Sequence, residues 1–113
     1  MVEPYAKINL NSGFENYGFG FEDASYEYRL DGFTVVQGLV RVNKTLTNNE
    51  VLGQFQYPYS GHTPTNGTLR FPVVSEKGVI AVDITTSGQI IVRGEAGSWI
   101  SLSGIVFNTH AKG

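Results

Sequence analysis

No stretch of about 12 residues in this chain spaces its apolar side chains at intervals of three and four, which leaves no face for an amphipathic helix. Short runs of alternating polar and apolar residues take its place, cut by Gly, Asn, Asp and Pro. About six to eight such runs, with turns every ~8–12 residues, predict an all-β fold. The expected architecture is a small antiparallel β-barrel or sandwich. At 113 residues the chain has room for one domain, residues 1–113, with a self-supporting core.

The run at 98–107 is the one around which the rest is arranged. Read as a single strand, it puts Trp99, Ser101, Ser103, Ile105 and Phe107 on one side. Ile100, Leu102, Gly104 and Val106 fall on the other, which is apolar throughout and expected in the core. Apolar groups on both sides imply cover on both, from a second sheet or another subunit. Gly104 inside the strand points to a bulge or a close backbone approach.

The residues before 20 read as irregular, with a short strand at Ile8 and Leu10 ended by the Asn11-Ser12-Gly13 turn. Phe14, Tyr17, Phe19 and Phe21 follow, spaced by glycines and polar residues. They read as a loop whose rings plug the edge of the core, the alternative being that some face a ligand. Strands at 26–30 and 33–42 are joined by Asp31-Gly32, a strong hairpin signal. The second is expected to be central, with Thr34, Val36, Gly38, Val40 and Val42 sharing a side. A short strand at 51–55 leads to the longest loop, 56–67. Pro72 places the strand at 68–74 on an edge or at a bulge. Strands at 79–85 and 89–93 form a second hairpin across Thr86-Ser87-Gly88. Residues 108–113 are expected to fray.

Composition narrows the chemistry. Without cysteine there are no disulfides and no thiolate metal site. A net charge of −2 offers no basic field for nucleic acid. No window approaches ~18 consecutive apolar residues, and the first residues lack a basic-then-apolar leader, so neither membrane insertion nor a secretory signal is expected. No nucleophile elbow, metalloprotease helix, phosphate loop or calcium loop is present, so neither an enzyme nor a metal or cofactor site is expected. Glu22, Asp23 and Glu27 read as solvated carboxylates around a hairpin.

A binding module fits better. Loop residues Tyr57, Tyr59 and His62, with Trp99 just after a Gly-Ser turn, suit a sugar, whose C–H face stacks on a ring while its hydroxyls bond polar groups. Each has a plainer reading: Trp99 as packing, His62 as a turn hydrogen bond, Arg70 and Arg93 as surface ion pairs.

The order of segments resembles the C-terminal head domain of receptor-binding proteins from tails and baseplates of phages that infect Gram-positive bacteria. The matching pieces are 10–18 (LNSGFENYG), 28–33 (YRLDGF), 37–40 (QGLV), 69–73 (LRFPV), 87–90 (SGQI) and 99–107 (WISLSGIVF). The loop at 57–66 departs from the short Leu-Pro-x-Gly-Tyr-x-Pro of many relatives, which bears on the saccharide taken. The resemblance implies a β-barrel head of a longer tail protein, a homotrimer that binds host cell-wall saccharide without cleaving it. It implies a virion location at the tail tip or baseplate, contacts with other baseplate or tail proteins, and no cofactor. The saccharide residues it implies are Trp99, His62 and Arg70, then Asp83, Arg93, Tyr57 and Tyr59. The alternatives are a monomeric carbohydrate-binding module of another tail protein or glycan hydrolase, and a purely structural tail domain.

Overall fold

The computed structural model describes residues 5–29, 31–46, 49–58 and 62–109. These residues form strands and turns without a helix. The strands are β1 (Tyr5–Leu10), β2 (Phe14–Asn16), β3 (Ser25–Tyr28), β4 (Phe33–Gln37), β5 (Leu39–Val42), β6 (Glu50–Phe55), β7 (Leu69–Ser75), β8 (Gly78–Ile84), β9 (Gln89–Arg93), β10 (Trp99–Ser101) and β11 (Ile105–Asn108). All pair antiparallel in one sheet of order β11-β4-β3-β1-β6-β9-β8-β7-β10-β5-β2, curled into a half-barrel. Tyr26, Val36, Val40, Leu52, Phe55, Val82, Ile90, Val92 and Ile100 fill its concave side and are wholly or almost wholly buried. Each such side chain removed from water contributes about 1.5–3 kcal/mol. Tyr26 can lie there because its hydroxyl is satisfied: it donates to Tyr57 O and accepts from Tyr57 N–H, both at 3.0 Å.

More strands are present than the sequence predicts, for a physical reason. The ribbon at 33–42 is bent at Gly38 into β4 and β5, and its partner is bent at 102–104 into β10 and β11. On one side of the bend Ser101 faces Leu39; on the other Ile105 faces Val36. The β10–β11 side therefore carries one residue more than its partner, a bulge at Ser103-Gly104, where Gly104 takes a φ of +99°. Alternation survives along 33–42: Thr34, Val36, Gly38, Val40 and Val42, expected to share a side, are all buried. Along 98–107 it does not. Ile100 and Leu102 are core residues, but beyond the bulge Ile105 and Phe107 turn inward, and Val106, expected in the core, is half exposed.

The bend needs a glycine at position 38. Its φ is +123°, and a Cβ there would lie 2.6 Å from the backbone of Ala24 and Asp23. Leu102 N–H donates to Gly38 O at 2.8 Å, and the Ser103 hydroxyl accepts from Gly38 N–H at 3.3 Å.

Residues 5–10 are more regular than the sequence suggests. β1 pairs with β3 through residues 5–7 and with β6 through residues 8–10, so it joins the two parts of the sheet. The expected hairpins form. At the first, Arg29 and Phe33 close a loop that is one residue longer than the Asp-Gly turn expected; Gly32 takes the positive φ, and Asp31 accepts from Phe33 N–H at 3.1 Å. Pro72 sits on the part of β7 that pairs on one side only, where its missing N–H costs no ladder bond. Asn108 and Thr109, expected to fray, are held instead: Asn108 ends β11, and Thr109 is buried with its N–H and hydroxyl both on Gly32 O. The remainder of that tail lies outside the described residues.

Candidate functional site: an aromatic cleft on the outer face of the sheet

Residues directly opposite in antiparallel strands project to the same face. Register therefore assigns the convex face. Trp99 stands beside Arg41, Ser101 beside Leu39 and Val74, Val74 beside Val79, and Arg70 beside Asp83. Arg93 joins them by pairing with Ala81, two residues from Asp83. Four of the residues singled out from the sequence, Trp99, Arg70, Asp83 and Arg93, thus share one face.

On that face lies a cleft of about 520 Å³, within the range of small-molecule sites. Tyr17, Phe21, Glu22, Leu39, Val74, Trp99, Ser101 and Ser103 line it. Its floor is the ladder of β5, β10 and β7. One wall is the loop after β2, tied at both ends to a single residue of the floor. Tyr17 N–H donates to Leu39 O, and Leu39 N–H donates to Glu22 O, each at 3.0 Å. Between these ties Gly18, Phe19 and Gly20 all have positive φ, and Phe19 does so at +55° without being glycine. Phe19 is 86% exposed, a strained backbone that presents an aromatic ring to solvent. Tyr17 packs edge-on to Phe21 at 5.5 Å. The Arg41 guanidinium lies 4.6 Å above the Tyr17 ring, donates to Tyr17 O at 3.2 Å and pairs with Glu15.

The expectation that residues 14–21 plug the core edge holds for Phe14, which is buried. Phe19 and Phe21 are exposed, and Tyr17 and Phe21 face the cleft. Glu22, read as a solvated hairpin carboxylate, lines the cleft too. A partial signal lay in the sequence: Tyr17, Phe19 and Phe21 are interleaved with Gly18 and Gly20, whose positive φ keeps this segment out of the sheet.

Trp99 is set in place by the turn between β7 and β8. The Glu76 carboxylate accepts from Ser98 N–H at 2.7 Å, and Glu76 N–H donates to Trp99 O at 3.2 Å. The Ser98 backbone N–H, then its side chain, holds the Glu76 carboxyl below the ordinary range.

Arg70, Asp83 and Arg93 form a brace across β7, β8 and β9. Asp83 is buried and accepts from Arg70 Nε and Nη2 at 2.7 and 3.0 Å, and from Arg93 Nε at 2.9 Å. Arg93 also bonds the Asn49 side chain. Bonding to Arg70, and then to Arg93, holds the Asp83 carboxyl below its ordinary value against the opposing effect of burial. Arg70 Cα is four residues from Val74 along β7, roughly 13 Å, so the brace flanks the cleft without lining it.

His62 and Tyr57 stand apart from this face. The His62 ring lies 4.4 Å from Tyr28, its Nδ1 is 3.2 Å from Tyr57 O, and its carbonyl accepts from the Thr34 hydroxyl at 3.1 Å. The Tyr57 ring is partly exposed while its backbone is clamped by Tyr26. Tyr59 lies outside the described residues. Among the described residues no three His, Cys, Asp or Glu gather into a potential metal site.

No family model matches this chain, and no curated protein does. Among solved structures, the receptor binding protein (gp15) of Listeria phage PSA is similar, with a TM-score of 0.69 at 13% identity. The similarity covers 95% of this chain and 65% of that one, so this chain spans just under two thirds of that protein's length. At that identity the likeness is one of fold: this all-β half-barrel is built like part of a phage receptor-binding protein.

Proposed function

We propose that this chain is the receptor-binding head of a phage tail or baseplate protein and that it grips a host cell-surface saccharide in the Trp99 cleft without cleaving it. The observation that carries the reading is the convergence of Tyr17, Phe21 and Trp99 with Ser101, Ser103 and Glu22 in one open cleft. Flat rings take the C–H face of a sugar, and the hydroxyls and carboxylate take its polar edge. The fold likeness to a phage receptor-binding protein supports the same reading.

Non-cleavage is part of the proposal. Among the described residues that line the cleft Glu22 is the sole carboxylate, whereas glycoside hydrolysis ordinarily uses a pair of acids. Assembly as a homotrimer is a further part. Val79 is 73% exposed and Val74 53% exposed, side by side on the convex face. Val74 also lines the cleft, so a partner subunit seated there would put the saccharide beside a subunit boundary. Weak sites repeated by symmetry then gain avidity of about 10²–10⁴. The brace residues Arg70, Asp83 and Arg93 shape the neighbouring surface; Tyr57, Tyr59 and His62 are not assigned to this cleft.

Adsorption of the purified, labelled chain to susceptible Gram-positive cells tests the reading. Wild type is expected to label cells, and Trp99→Ala and Phe21→Ala to lose most of the signal while folding normally. Equal labelling by both variants would overturn the site, and no labelling by wild type would leave a structural tail domain. Sedimentation decides the trimer: a monomer at micromolar concentration contradicts it and favours a carbohydrate-binding module.

A further inference from the structure

The charge of the cleft says more about its ligand than its shape does. Among the described residues that line it there is one carboxylate, Glu22, and no lysine, arginine or histidine. Glu22 takes part in none of the ion pairs formed among the described residues. Among the described residues its carboxylate accepts one hydrogen bond, from the Tyr5 hydroxyl at 3.5 Å. The Arg41 guanidinium, opposite Trp99 in the ladder, is committed to Tyr17 O, the Tyr17 ring and Glu15. A carboxylate set among three aromatic rings repels anions and attracts cations, since ring faces carry negative potential.

From this complementarity we propose that the cleft selects a glycan bearing a protonated amine, with the Phe21 and Trp99 rings around the ammonium group and Glu22 as its counter-ion. The inference rests on the reading that the cleft takes saccharide, and it names the class: amino sugars over neutral ones, and neutral over acidic. Arg41 over Tyr17 is the chain's own instance of a cation held by a ring of this loop. Glu22 is well suited to the role, because its main chain is already fixed by Leu39. The side chain is held only by the long hydrogen bond from the Tyr5 hydroxyl, and a glutamine there keeps the loop intact.

Calorimetric titration of the full chain at low salt and about pH 6, where an amine is protonated, tests this. Three probes are used: an oligosaccharide of glucosamine, the same oligosaccharide N-acetylated, and an oligogalacturonate. The amine form is expected to bind about tenfold more tightly than its N-acetylated counterpart, with the acidic probe weakest. Salt should narrow the gap. Glu22→Gln should weaken the amine form about tenfold more than the N-acetylated form and so erase the advantage. Equal binding of the amine and acetylated forms, tighter binding of the acid, a preference that survives Glu22→Gln, or no binding of any probe would each overturn the inference. The saccharide reading is judged separately by cell adsorption, which remains intact if only the amine preference fails.

Discussion

Replacing Gly38 by alanine tests the corner that organises both the sheet and the cleft. Two costs meet there. The φ of +123° lies where an L side chain is strained, which costs about 1–2 kcal/mol. The added Cβ would also sit 2.6 Å from three backbone atoms of Asp23 and Ala24, which cannot swing aside as a side chain would. Overpacking of that kind costs about a further 1–3 kcal/mol. Gly104, on the other arm of the same bend, provides the control. Its φ is +99°, but a Cβ there would meet nothing within 4 Å, so Gly104→Ala carries the backbone cost alone. The account predicts a loss of about 2–5 kcal/mol for Gly38→Ala and about 1–2 kcal/mol for Gly104→Ala. In a domain of this size these correspond to falls in Tm of more than about 10 °C and about 5–10 °C. Parallel thermal melts by circular dichroism read both. Equal falls for the two variants would refute the argument that backbone contact between Gly38 and residues 23–24 sets the bend.

Other perturbations separate brace from cleft. Asp83→Asn is expected to cost about 1–3 kcal/mol, less than a fully buried pair because Arg70 is largely exposed. The folded Asp83 pKa is depressed, so its contribution is complete above the unfolded value of about 4 and is lost as pH falls through the lower folded value. Acid melts of wild type should therefore steepen below about pH 4, and those of Asp83→Asn should be flatter there. Phe21→Ala should leave stability within about 0.5 kcal/mol, since the ring is 55% exposed, yet weaken glycan binding about tenfold. Glu76→Ala removes the acceptor for Ser98 N–H and should lower the fluorescence anisotropy of Trp99 without changing the fold; unchanged anisotropy would mean that the turn does not position the ring.

Much of the fold is legible in the sequence because strand alternation is a local property. The grouping of Thr34, Val36, Val40 and Val42 on one side of 33–42 follows directly from alternation, and the Asp31-Gly32 and Thr86-Ser87-Gly88 turns mark their hairpins. The outward set at 105–107 is not legible, because one extra residue at Ser103-Gly104 inverts every side chain after it. Gly104 flagged a bulge, but only the pairing with Val36 says which way the parity goes. β1 was legible only as a short strand at Ile8 and Leu10; its extension back to Tyr5 depends on a distant partner, β3, rather than on its own composition. The cleft was half visible. Trp99 stood out as a lone tryptophan after a turn, whereas Tyr17, Phe21 and Glu22 reach it only because Leu39 ties both ends of their loop. Arg70, Asp83 and Arg93 were each recognisable as polar residues on strands; that Asp83 binds both arginines depends on the register of β7, β8 and β9, which no local pattern encodes.

Trp99 is the sole tryptophan of the chain and lines the proposed site, so its own emission reports on the central claim. Titration of the purified chain with cell-wall glycan from a susceptible host, followed by tryptophan fluorescence, is the most direct measurement. A saturable shift of emission to shorter wavelength, lost in Phe21→Ala, is the predicted result. Glycan that binds, as shown by calorimetry on the same sample, while Trp99 emission stays unchanged would contradict it.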